Sequence, residues 1–144
     1  MLESSKKILD ALKQADMYCE FDVADDKERV YTGCKCDVNG KELHALISFI
    51  TDSSDMTVSM IYFSFDGVNI IEFSDETKGI KVCNKLNNYI NLIYTFGIND
   101  QDHSLFAKCV FPPGMDKGKL AALLTGFFIH SFKEKICYEI AECI

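Results

Sequence analysis

The sequence predicts an α+β fold in which an antiparallel β-meander and a later hairpin form one sheet, packed by an N-terminal, a central and a long C-terminal helix. Three observations lead there. Apolar and polar residues alternate through consecutive stretches from Tyr18 to Phe65, the period of strands buried on one face. The dipeptide Asn39-Gly40 separates two of those stretches and suits a tight hairpin, because both residues tolerate positive φ. Helical spacing of three to four residues appears only near the start, the middle and the end of the chain. With 144 residues, 48% hydrophobic and 26% charged, the chain has the size and usage of one folded domain spanning residues 1–144.

Each element has its own warrant. Ile8, Leu9, Leu12 and Ala15 recur at helical spacing from Ser5 to Asp16, with Ser4 or Ser5 as the expected cap. From Tyr18, Cys19, Phe21 and Val23 face one way and Glu20 and Asp22 the other, until Asp25-Asp26-Lys27-Glu28 forms a turn. Val30, Thr32, Cys34, Cys36 and Val38 define the second strand, and Leu43, Ala45, Ile47 and Phe49 the third. After the Asp52 to Asp55 turn a fourth strand runs from Met56 to Phe65. Val68 to Phe73 fits either a short strand or an apolar connector. Ser74-Asp75-Glu76 starts the central helix, with Ile80, Cys83, Leu86 or Asn87 and Ile90 on one side and an end near Tyr89. Leu92 to Ile98 and Ser104 to Phe111 read as the second hairpin across Asn99-Asp100-Gln101-Asp102. Pro112-Pro113-Gly114 stops the sheet, and Asp116 caps a helix from about Lys117 onward.

That last helix is apolar around more of its circumference than one sheet face needs. Leu120, Leu123, Leu124, Phe127 and Phe128 are therefore the candidate dimer or partner surface, with another copy of the chain as the simplest occupant. The set Met56, Val58, Met60 and Tyr62 leaves the other side of the fourth strand. It is expected to lie under a helix or a subunit in preference to forming a peptide site. Tyr62, Phe63, Phe65, Tyr94 and Phe96 are assigned by default to sheet packing.

Charge narrows the partners. The net charge is −7, with 7 Lys/Arg against 14 Asp/Glu in residues 1–72 and 8 against 8 in residues 73–144. Nucleic acid draws its affinity from lysines and arginines that displace counterions, so an acidic chain without a basic stripe is not expected to bind it. Arg29 is the only arginine, so a two-pronged grip on phosphate occurs at most once. The first residues lack the order of a signal peptide and no run reaches membrane-spanning length. The expectation is a cytosolic protein with reduced thiols.

No constellation commits the chain to catalysis, a cofactor or a metal. Seven cysteines are scattered without a C-x-x-C pair. Cys34 and Cys36 share the apolar face of their strand with Val30 and Val38, so both read as core; Cys137 and Cys143 read as core or rim. His44, His103 and His130 form no zinc motif. Asp100 and Asp102 open like a calcium loop, but its glycine and glutamate positions fall on other residues. Phosphate-binding glycine loops and nucleophile elbows are missing from the sequence.

The order of elements, the stretch Val82-Cys83-Asn84-Lys85-Leu86-Asn87-Asn88-Tyr89-Ile90 with its N-x-x-N spacing, the strand Tyr94-Thr95-Phe96, the acidic turn Asp100-Gln101-Asp102 and the strand Leu105 to Phe111 together resemble the YbjN family over nearly the whole chain. The fold of that family is similar to type III secretion chaperones. The resemblance implies a cytosolic bacterial α+β protein, dimeric, that binds another polypeptide through a sheet edge or apolar groove or acts in regulation. It supplies no catalytic residue. The alternative is a small cysteine-dependent redox or hydrolytic enzyme using Cys83 or Cys109 with His103.

Overall fold

In the computed structural model, which describes residues 1–66, 69–71, 73, 76–89 and 93–143, helix α1 (Glu3–Gln14) precedes strands β1 (Glu20–Ala24), β2 (Lys27–Val38), β3 (Lys41–Thr51) and β4 (Thr57–Phe65). The short β5 (Asn69–Ile70), helix α2 (Glu76–Tyr89), and strands β6 (Thr95–Ile98) and β7 (Leu105–Val110) follow. Helix α3 (Lys117–Ser131) then runs through a π-helical turn (Phe132–Ile136) into α4 (Cys137–Glu142). The sheet order is β1-β2-β3-β4-β7-β6, antiparallel throughout, with β5 paired to β4. This is the α+β architecture that the alternation and the three helical stretches predict.

The turns do what their residues favour. Asn39 and Gly40 both have positive φ, as do Asp25 and Asp26 between β1 and β2. Asp52 Oδ1 accepts from the Ser54 and Met56 amides and the Ser54 hydroxyl, closing the β3–β4 turn on its own backbone. Asp116 caps α3 by accepting from the Lys119 amide at 3.1 Å. At α1 the expected serine caps are absent: Ser4 and Ser5 lie inside the helix and are buried. Carboxylates distant in sequence take the orphan donors instead. The Leu2 amide donates to Glu28 and the Ser4 amide to Asp55.

Between 68 and 73 the described residues bridge two strands. The Ile71 amide donates to the Phe63 carbonyl at 2.9 Å, and the Ile71 carbonyl accepts from Leu105 at 3.1 Å. The segment thus wedges between β4 and β7 where those two part. Val68, Ser74, Asp75, Ile90 and Leu92 lie outside the described residues.

One face of the sheet carries the core. Val30, Leu43, Ala45, Ile47, Phe49, Ile61, Phe63, Phe96, Leu105 and Ala107 point inward and meet Ile8 and Leu12 of α1, Val82 and Leu86 of α2, and the C-terminal helices. An aromatic cluster sits at its centre: Phe63 lies 6.2, 6.2 and 6.1 Å from Phe96, Phe128 and Phe132, and Phe128 lies 5.8 Å from Phe132. Tyr94 packs edge-on against Phe128, and its hydroxyl meets the Ser59 hydroxyl at 2.6 Å, so the one polar atom in the cluster is satisfied.

The wide apolar arc of α3 finds its second partner within the same chain. Helix α1 crosses α3 so closely that a Cβ on Gly118 would sit 2.7 Å from the Lys7 carbonyl oxygen and 3.2 Å from the Ala11 Cβ. In a free helix Gly118→Ala would gain about 1 kcal/mol from propensity. Here we expect the sign to reverse, with a loss of about 1–3 kcal/mol as the helices are forced apart, checked by urea unfolding of the variant.

Candidate functional site

Side chains at cross-strand partners share a face, so the pairing register maps the side of the sheet opposite the helices. Gly33, Leu46, Tyr62, Phe106 and Gly97 align in one row across β2, β3, β4, β7 and β6. Tyr31, Ser48, Met60, Lys108 and Thr95 form the next, and Arg29, Ile50, Val58 and Val110 the one after. Leu46 and Val110 are exposed; Ile50, Val58, Met60, Tyr62 and Phe106 are half-buried. No helix among the described residues lies on this side. Met56, Val58, Met60 and Tyr62 are expected under a helix or a subunit; among the described residues no helix of this chain covers them, and Met56 is exposed.

The face is built as an apolar centre with a polar margin. Toward β1, Arg29 grips Asp22 through two nitrogens at 3.0 and 2.5 Å and lies 4.5 Å over the Tyr31 ring. The Tyr18 and Tyr31 hydroxyls both donate to Glu20, and these bonds hold its carboxyl below the usual carboxylate range. The only arginine is thus consumed by an internal pair. At the apolar centre Lys108 differs. It stands between Met60 and Thr95, flanked along its strand by Phe106 and Val110, with no ion-pair partner among the described residues. Beside Met60, the buried Ser48 hydroxyl also finds no partner there.

Gly97 makes the row possible at its far end. A Cβ there would lie 2.7 Å from the Phe106 ring, so the ring rests directly over the glycine backbone.

Both sheet edges are blunted. The Asn87 side chain donates to the Phe96 carbonyl at 3.0 Å and accepts from the Phe96 amide at 2.7 Å, so it takes both backbone hydrogen-bonding groups of Phe96 at the middle of the β6 edge. This is a job for the N-x-x-N stretch that spacing alone does not reveal. The other edge, β1, has five residues and carries Glu20 and Asp22, the short charged form that discourages strand addition.

The five candidate residues on the terminal helix divide. Leu120, Leu124 and Phe128 are buried in the chain's own core, whereas Leu123 and Phe127 are 56% and 58% exposed. Only the latter pair, one turn apart, is free to meet another molecule.

Burial disfavours the thiolate at both cysteines of the enzyme alternative. Cys83 and His103 line one cleft of about 390 Å³ between α2 and β6, together with Asn84, Asn87 and Asp100. No hydrogen bond joins Cys83 to His103, and burial pushes the Cys83 thiol up to about 11. Burial also raises Cys109, which faces the core from β7. Ile80, assigned to the packed side of α2, is exposed at this cleft, and Gly79, Val82, Cys83 and Leu86 are the buried stripe. Cys34 and Cys36, expected as core, are half-buried, while Cys137 is fully enclosed. Among the described residues no group of three or more His, Cys, Asp or Glu side chains is placed to hold a metal ion, and no helix is long and apolar enough to cross a membrane.

Comparison with family models, with characterised proteins and with solved structures found no match to this chain.

Proposed function

We propose that this chain is a non-enzymatic protein-binding module that seats an apolar, acidic segment of another polypeptide across the uncovered face of its sheet. The observation that carries the reading is the Leu46–Tyr62–Phe106 row, uncovered on a sheet whose other face carries the core, with Lys108 beside it making no ion pair among the described residues. A soluble domain rarely leaves such a patch without use, and a cation set among apolar side chains asks for a carboxylate from outside. Blunted edges favour the face over strand addition, which narrows the binding mode expected from the sequence. The resemblance to the YbjN family supports a cytosolic, chaperone-like or regulatory role of this kind.

Panning a peptide-display library on the native protein tests the reading. The selected peptides should combine apolar residues with Asp or Glu, and Tyr62→Ser or Phe106→Ser should weaken them by about tenfold or more. Lys108→Glu should lose the acidic peptides, with melting little changed because Lys108 is exposed and makes no ion pair among the described residues. Peptides that bind all three variants as well as the parent would discard the proposal.

Leu123 and Phe127 carry a second reading, a homodimer through α3. Its mark is a dimer in light scattering that Phe127→Glu converts to a monomer; a parent protein already monomeric at tens of micromolar removes it.

A further inference from the structure

We propose that Cys36 and Cys137 form a redox modification site, in which a reachable thiol on β2 and an enclosed thiol at the start of α4 close to a disulfide in response to small disulfide-bearing oxidants. The two residues are 101 positions apart, yet their Sγ atoms lie 3.0 Å from one another. A covalent S–S bond needs about 1 Å less, a distance that side-chain torsion supplies without moving a strand.

The roles follow from access. Cys36 is half-buried and open to a small solute, whereas Cys137 is 0% exposed and reacts only with what Cys36 delivers. The helix is shaped to present it. The π-helical turn Phe132–Ile136 ends immediately before Cys137, and one added residue per turn rotates all that follows by about 100°. The Cys137 Sγ also lies 3.7 Å from the Lys133 carbonyl, which fixes its direction within the turn. Cys34, two residues from Cys36 on the same face, has no such neighbour, and burial pushes its thiol up to about 12.

The chemistry balances in two exchanges. The Cys36 thiol gives up its proton and its sulfur attacks one sulfur of R–S–S–R, forming Cys36–S–S–R and releasing one RSH. The Cys137 sulfur then attacks the Cys36 Sγ, the bond from that atom to the R-bearing sulfur breaks, and the departing thiolate takes the Cys137 proton as a second RSH. Two protein thiols are oxidised and one small disulfide is reduced to two thiols. The product ties β2 to the C-terminal helix and closes a loop of about 100 residues, the long-loop case in which a crosslink constrains the unfolded chain most.

The test uses the reduced full-length protein, oxidised glutathione as the probe, alkylation of the remaining thiols and peptide mapping. The expected result is loss of two of the seven thiols in one Cys36–Cys137 crosslink, a rise in melting temperature of about 10 °C and full reversal by dithiothreitol. Cys137→Ser should stop at the mixed disulfide on Cys36. A map of the parent protein that shows another pair, such as Cys34 with Cys36, or all seven thiols unreacted, overturns the proposal without reliance on any variant.

Discussion

Replacing Phe128 with alanine should destabilise the protein by about 3–5 kcal/mol, while the same change at the adjacent Phe127 should cost less than about 1 kcal/mol. The two residues have the same chemistry and differ only in direction. Phe128 is fully buried and touches Phe63, Phe132 and Tyr94, with ring centres 6.2, 5.8 and 5.9 Å away. Its removal leaves a cavity bounded by three rings that are themselves held by the sheet and by the Tyr94–Ser59 hydrogen bond, so the site cannot collapse cheaply. Phe127 gives its ring to solvent and truncation removes little packing. Small domains hold about 5–15 kcal/mol in total, so Phe128→Ala takes a large share of the whole and should lower the melting temperature by about 10 °C. Urea unfolding with an unchanged slope would report this directly. Equal losses at the two positions would mean that Phe127 is covered in solution and would favour the α3 homodimer.

That contrast marks the limit of what periodicity can reveal. Alternation places the strands because a strand has two faces and one must be apolar: Val30, Leu43, Ala45 and Phe63 are all read correctly from it. Asn39-Gly40 and Asp116 are legible because their chemistry acts within a few residues of chain. An all-round apolar helix offers no such reading. Which of Leu120, Leu123, Leu124, Phe127 and Phe128 faces inward depends on where α1 crosses, and the determinant of that crossing is Gly118, which carries no hydrophobic signal. Contacts across long stretches of sequence are hidden for the same reason. Glu28 and Asp55 at the start of α1, Asn87 on the β6 edge and Cys36 against Cys137 are pairings that the topology creates. The proposed binding face is legible in half: the outward set of β4 stands out, but that no helix among the described residues covers it follows only from α1, α2 and the C-terminal helices packing on one side.

The buried thiols predict an alkaline limit to the fold. A free cysteine ionises near 9.0, and burial raises Cys34 to about 12, Cys83 to about 11, and Cys137 upward with the neighbouring Cys36 sulfur adding to the rise. Tyr94 is raised by burial as well. In each case the folded chain keeps a proton that the unfolded chain releases, so the unfolded state gains as pH climbs. The stabilisation is fully present below pH 9 and is lost between pH 9 and about 12. Each enclosed thiol contributes a slope of about 1.4 kcal/mol per pH unit, so Cys83 alone costs on the order of 2 kcal/mol by pH 11, and Cys137 adds to the loss in the same direction. That is a large share of the roughly 5–15 kcal/mol a domain holds, so the protein should lose stability steadily in this window. Urea midpoints measured in reductant at pH 8, 9, 10 and 11 should fall progressively, and Cys83→Ala should reduce the slope by one thiol's share. A stability that stays flat from pH 9 to 11 would mean that these sulfurs reach water, and with it the enclosure of Cys137 that makes Cys36 the entry point for oxidants would fail.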